Sequence, residues 1–345
     1  MSSLDAVLPR LHLDLQKRTA DETFSGVVLV ADHGQPIFRE AYGLASRAYA
    51  APNTVKTRFS IASITKMFTS VAIMQLAARG LLRMDDVLAE YLPDWPSEVG
   101  RRVTLHHLLT NTSGYGDPWE HPDWSLERNH EIRRVEQMVS ILREQEPAFE
   151  PGTEFRYSDG GYMLLGAVIE AVTGEDYYSY VTEHVLRAAG MHDSGFLEPD
   201  LDPPDMATGY NRQPLDGEQV GSWRHTRRFD TKGMPSGGAF ATADDLLSFA
   251  SALRGHRLIT EEDTQRILSG HIDFPFFEYG VAQYGYGSIL ATRGGRRYIG
   301  HVGGAPGSSS DFGMLPDSGG VVVVLANMEG AALPVMDFIL ESLPV

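Results

Sequence analysis

The chain has 345 residues, 42% hydrophobic and 22% charged, which suits one large domain or two interlocked ones and excludes a disordered protein. The 29 Lys and Arg against 46 Asp and Glu give a net charge of −17, a sign that repels phosphate backbones and anionic lipid. Cysteine is absent, which removes disulfides, thiolate metal sites and cysteine nucleophiles together. The expected partners are therefore small molecules or short peptides, with neither nucleic acid nor membrane among them; oligomeric state is not legible.

Met1 to Ala20 reads as an amphipathic helix with Leu4, Val7, Leu8, Leu11 and Leu15 on one side. It lacks the unbroken apolar stretch of a signal peptide, so the expected location is cytoplasmic, a removed leader being the alternative. Phe24 to Ala31 and Pro36 to Leu44 flank the turn-type run Asp32-His33-Gly34-Gln35 and predict a β-hairpin. Ile61 to Gly80 predicts a helix that is apolar nearly all round and ends at Gly80. Helical patterns follow at Thr104–Leu109, Glu131–Glu144, Gly160–Val172, Tyr177–Ala189 and Thr242–Leu253.

The end of the chain returns to strands. Tyr284–Ala291, Arg296–Val302, Ser308–Leu315 and Gly320–Ala326 read as an antiparallel meander, and Leu333–Leu343 as a closing helix. The fold class expected is α+β. An antiparallel sheet is built from both ends of the chain (1–60 and 236–345), flanked by the N- and C-terminal helices, with a mostly helical subdomain (61–235) inserted and the active site between the two. Gly114–Asn129 and Asp202–Ser236 read as long functional loops.

Lysine occurs only at positions 17, 56, 66 and 232, so arginine is the default cation and a lysine in an odd place calls for a chemical reason. Ser63-Ile64-Thr65-Lys66 supplies one. A spacing of three puts Ser63 and Lys66 on one face, at a helix start with free backbone N–H groups and a positive dipole end. Burial lowers an ammonium pKa, which would let Lys66 relay the Ser63 proton. Taken alone, the same residues are equally a capping serine and a snorkelling lysine.

Two further elements follow. Tyr157-Ser158-Asp159 lies in a loop that opens a helix, where Asp159 is in isolation an ordinary N-cap and Tyr157 a core residue. His301-Val302-Gly303-Gly304 ends a strand; its glycines admit a ligand close to the backbone, or simply form a hairpin turn.

In this order the three elements resemble those of the serine β-lactamase and penicillin-binding-protein superfamily, in the branch of class C β-lactamases, esterases and D-stereospecific peptidases. Thr104 to Gly114, Phe149 to Gly152, Val172 to Gly174, Ala189 to Met191 and Gly237 to Thr242 extend the likeness over nearly the whole chain. The resemblance implies a β-lactamase/transpeptidase-like fold, a nucleophilic Ser63, and Lys66 and Tyr157 sharing the proton transfers. It implies an oxyanion hole from the N–H groups of Ser63 and Gly304, with Gly303 beside the substrate. His301 stands where a Lys or His orients the tyrosine or meets the substrate's polar end. No metal or organic cofactor is implied.

Asp159 departs from the family's Asn. A carboxylate only accepts hydrogen bonds, and its charge favours a protonated Lys66, which shifts base chemistry toward Tyr157. The change weakens the case for a β-lactam substrate. The function expected is a serine hydrolase working through an acyl-enzyme, as an esterase or a D-amino-acid peptidase or amidase. The alternatives are β-lactamase or DD-carboxypeptidase activity, or a non-hydrolytic penicillin-binding-like sensor.

The two loops should set specificity. Tyr115, Trp119 and Trp124 could wall an apolar pocket or simply pin their loop to the surface. The basic run Arg224, His225, Arg227, Arg228 and Lys232 could attract an anionic group, with ordinary salt bridges as the plainer reading. A Gly-x-Ser-x-Gly elbow, a P-loop and a His-Glu-x-x-His helix are all absent from the sequence.

Overall fold

The computed structural model describes residues 3–122, 124, 131–198, 200–201, 203–212, 222–226 and 232–343. Its centre is an eight-stranded antiparallel sheet. The strands are β1 (Gly26–Asp32), β2 (Gln35–Tyr42), β3 (Ile272–Pro275), β4 (Val281–Tyr284), β5 (Ile289–Arg293), β6 (Arg296–Ala305), β7 (Ser308–Leu315) and β8 (Gly320–Ala326). Their order is β2-β1-β8-β7-β6-β5-β4-β3, so the two ends of the chain meet where β1 pairs with β8, Val28 opposite Val324.

Both faces of that seam are apolar, as a sheet covered on two sides requires. Val28, Val30, Val322 and Val324 pack with Leu11 and Leu15 of the first helix, α1 (Ser3–Ala20), and with Val335 and Met336 of the last helix, Ala332–Ser342. Val27, Leu29, Val323 and Leu325 face the other core, shared with the helical region. The sheet, its two terminal helices and the helical insertion match the α+β architecture expected.

Two elements differ from expectation. The run Tyr284–Ala291 is not one strand: β4 ends at Tyr284 and β5 begins at Ile289. The tight turn between them contains Gly287 at φ 72°, where a Cβ would sit 2.5 Å from Ser70 Oγ and 2.9 Å from the Lys66 carbonyl. The helix over Ile61–Gly80 starts late. Ala62–Ile64 is a 3₁₀ turn, and α2 runs Thr65–Ala78 with eleven buried residues, Lys66 among them. Among the described residues no helix is long and apolar enough to cross a membrane.

Candidate active site

Ser63 sits in the 3₁₀ turn, and its neighbour Ala62 is left-handed at φ 43°. A non-glycine residue there stores about 1–3 kcal/mol of strain, so the surroundings must hold it. They do so through hydrogen bonds from three sides. Ile61 N donates to Ala239 O at 2.9 Å, Gly238 N to Ala62 O at 3.3 Å, and Ser310 Oγ to Ile61 O at 2.9 Å. Gly303 of β6 runs against the same turn, where a Cβ would lie 2.3 Å from Ile61 O. Gly303 therefore serves close packing rather than the substrate subsite expected of it. The next residue, Gly304, faces open space in the same cavity as Ser63.

Lys66 is fully buried on α2 (0% exposed). Its three ammonium protons have three acceptors: Ser63 Oγ at 3.3 Å, Ser236 O at 2.8 Å, and the Asp159 carboxylate in a close ion pair. Burial pushes the Lys66 pKa down, but the charges of Asp159 and Tyr157 outweigh it and hold the group above its ordinary value. Burial alone would have freed Lys66 as a base; the structure supplies the countercharge that keeps it an ammonium.

Asp159 opens the helix α3 (Asp159–Thr173), capped by Ser158 Oγ, which accepts from Gly161 N at 2.9 Å. That fixes Tyr157 two residues upstream. The Lys66 Nζ lies 4.7 Å from the Tyr157 ring centroid, which sets the phenol against the ammonium. Burial raises the Tyr157 pKa against the downward pull of Lys66, although 36% of the residue remains open to solvent. Ser63, Lys66, Tyr157 and Asp159 are thus one contiguous cluster.

Of the two roles expected of His301, the structure favours packing beside Tyr157 over meeting the substrate. His301 is 1% exposed, and protein groups satisfy both ring nitrogens. Nδ1–H donates to Val302 O at 2.6 Å, which leaves Nε2 to accept from Tyr284 OH at 3.1 Å. Burial, with help from the Lys66 charge, pushes its pKa down to about 3, so the ring is neutral. It does not line the cavity beside Ser63. Its contact with Tyr157 is through packing, with centroids 6.1 Å apart, and Tyr284 meets Tyr157 edge-on at 6.2 Å.

Tyr115 is also corrected. It is fully buried and accepts from Trp95 Nε1 at 2.5 Å, a core contact away from the cavity. Trp119 and Trp124 of the same loop do line the cavity, packed T-shaped at 6.2 Å. Arg224 pairs with Asn211 in a short exposed ribbon outside the cavity, and Lys232 is bound to Glu198 at 2.9 Å. Arg227 and Arg228 lie outside the described residues. Among the described residues no group of three or more His, Asp or Glu side chains could hold a metal ion.

Asp117 was invisible in the sequence. Its Oδ1 accepts from Asp159 N at 2.6 Å, at the mouth of α3. Burial and the Asp159 charge push its pKa up to about 6, against the backbone N–H bonds it accepts. A carboxyl with a raised folded pKa stabilises the fold in its protonated form. That contribution is complete below the unfolded value near 4 and is lost as the pH climbs through 6. Asp117→Asn should therefore raise the melting temperature relative to wild type at pH 8, by about 1–3 kcal/mol of stability, and leave it unchanged at pH 4. Thermal melts at the two pH values check this; an equal shift at both would exclude the ionisation.

Ser63 beside the left-handed Ala62, the buried Lys66 and Tyr157 thus lie together between an antiparallel sheet and a helical region. The family model described as Beta-lactamase matches residues 15–339, and the chain belongs to that family. Among its relatives, esterase EstB of Burkholderia gladioli is 31% identical over 74% of this chain and 72% of its own length. A D-aminopeptidase of Brucella anthropi is 29% identical over 89% of this chain but only 56% of the relative. The crystal structure of a penicillin binding protein from Bacillus halodurans superposes with a TM-score of 0.82 at 34% identity, covering 93% of this chain and 98% of that one.

Proposed function

We propose that the protein is a serine hydrolase that cleaves an ester or amide through an acyl-enzyme on Ser63. The observation that carries this reading is Lys66, buried without exposure and held with its ammonium between Ser63 Oγ and Asp159. A fully buried lysine is costly unless it is paired or used, and this one is paired on a side that also faces the Ser63 hydroxyl.

Ser63 Oγ attacks the carbonyl carbon, and the N–H groups of Ser63 and Gly304 receive the oxyanion. Tyr157 takes the Ser63 proton as it passes its own to the departing oxygen or nitrogen, so the phenol is neutral before and after. The Lys66 ammonium steadies the negative charge that crosses the phenol oxygen. Water then attacks the acyl-enzyme by the same relay, releases the acid and restores Ser63.

Likeness to an esterase and to a D-aminopeptidase supports ester or D-amino-acid amide substrates over β-lactams. The carboxylate of Asp159 supports the same ranking, because it cannot donate to a substrate carbonyl. The test is a panel of p-nitrophenyl acetate, D-alanine amide and a chromogenic cephalosporin, run on wild type and Ser63→Ala. Turnover of the ester or the amide should vanish in Ser63→Ala; full activity there would end this mechanism. The ion pair that holds Lys66 protonated favours one second reading, acylation without turnover. A stable adduct on Ser63 by intact-mass measurement, with no product released, would establish that instead.

A further inference from the structure

Building on the Ser63 reading, we propose that the cavity beside Ser63 receives the acyl half of the substrate and selects acyl groups with a long or bulky apolar tail and no anionic end. The leaving group departs on the opposite, Tyr157 side, where its size matters little.

The assignment of halves comes from which groups share the cavity. Its walls include Ser63, Gly304 and Asp159, while Tyr157, Lys66 and His301 are not among them. When Ser63 Oγ attacks, the two substituents of the carbonyl carbon diverge. The leaving atom must stay within reach of Tyr157, which delivers its proton. The acyl substituent is then the one directed into the cavity. Tyr157 is 36% exposed, so the alcohol or amine passes into water, and the hydrolytic water enters by the same route.

The walls state the chemistry of the tail. The cavity holds about 600 Å³, within the range of sites that enclose a drug-sized molecule. Leu197, Met206, Met234 and Phe240 line it, and Trp119 and Leu201 at its edge keep 39% and 62% exposure. Large apolar side chains left open at a cavity mouth gain when a ligand covers them. Among the described residues the charged side chains on the walls are Asp159 and Glu198, both acids. Each already has its cation: Lys66 holds Asp159, while Lys232 and Arg133 hold Glu198. Among the described residues no wall cation is left to meet a carboxylate-ended tail.

The step balances. The Ser63 Oγ–carbon bond forms as the bond from carbon to the leaving oxygen breaks. The Ser63 proton leaves with the alcohol by way of Tyr157, and the acyl group stays on Ser63 inside the cavity.

The test uses the full chain. Labelling by a small fluorophosphonate, present in wild type and absent in Ser63→Ala, reports the Ser63 reading by itself. Along p-nitrophenyl acetate, butyrate, hexanoate and octanoate, kcat/KM should rise about tenfold or more. Octanoate esters of phenols of matched acidity but growing para substituents should differ by less than about threefold. A p-nitrophenyl ester of octanedioic acid with its other end a free carboxylate should react at least about tenfold more slowly than the octanoate. Met206→Trp should cut the octanoate-to-acetate ratio by about tenfold. A flat or falling acyl series, or strong dependence on phenol size, overturns the proposal while intact labelling leaves Ser63 standing. Loss of labelling in wild type overturns the Ser63 reading itself.

Discussion

Lys66→Met should lower kcat/KM for any substrate that wild type turns over by roughly 10³–10⁴-fold while the fold persists. Methionine matches the stem of lysine in volume and fills the same buried slot on α2, so packing is kept and only the ammonium is lost. With it goes the charge that faces Ser63 Oγ at 3.3 Å and Tyr157. Circular dichroism and steady-state rates on one preparation check the two halves of the statement. The partner variant Asp159→Asn isolates the protonation state. Burial is the largest influence on Lys66 and pulls its pKa down; Asp159 is the chief opposing charge. Removing that charge should let the Lys66 pKa fall, so activity in Asp159→Asn should fall with rising pH along a limb that wild type lacks, as the ammonium that supports Tyr157 is lost. An unchanged pH–rate profile would show that Asp159 does not set the state of Lys66.

The cluster around Ser63 was legible because its parts are short local motifs. Ser63 and Lys66 are one turn apart, and Tyr157 and Asp159 flank a helix cap, so each fragment fixes its own geometry and only the docking of fragments is tertiary. The resemblance supplied that docking. What stayed hidden depends on partners distant in sequence. His301 reads as a residue free to meet the substrate until Tyr284, from a different strand, takes its second nitrogen. Asp117 becomes special only because the first N–H of α3 lands on it. Tyr115 and Trp119 sit four residues apart in one aromatic loop, and period and composition cannot say which of them turns into the core; the buried Trp95 decides it. The sheet seam was readable from its two runs of valine, whereas the split between β4 and β5 follows from the fit of Gly287 against α2.

Behind the site lies a buried ion network, and breaking it should be strongly destabilising. Arg293, at the end of β5, is 1% exposed. It donates to Asp311 of β7 at 2.7 Å and to Asp337 of the last helix at 2.8 Å, and its guanidinium lies 4.9 Å from the ring of Tyr298 on β6. The network thus clamps β6, which carries Gly303 and Gly304 near its end, between its two neighbours. Arg293→Met should lower the unfolding free energy by about 3–5 kcal/mol, because it strands the Asp311 carboxylate in a site with no exposure. Urea denaturation measures the loss. Adding Asp311→Asn should recover part of it, since the uncompensated charge rather than the missing contact dominates the penalty. Tyr298 OH already donates to Asp311 Oδ1 at 2.8 Å, and an asparagine oxygen can accept that bond. A single-variant loss below about 1 kcal/mol, the range of an exposed pair, would mean that water reaches the network and that β6 is held by its ladder alone.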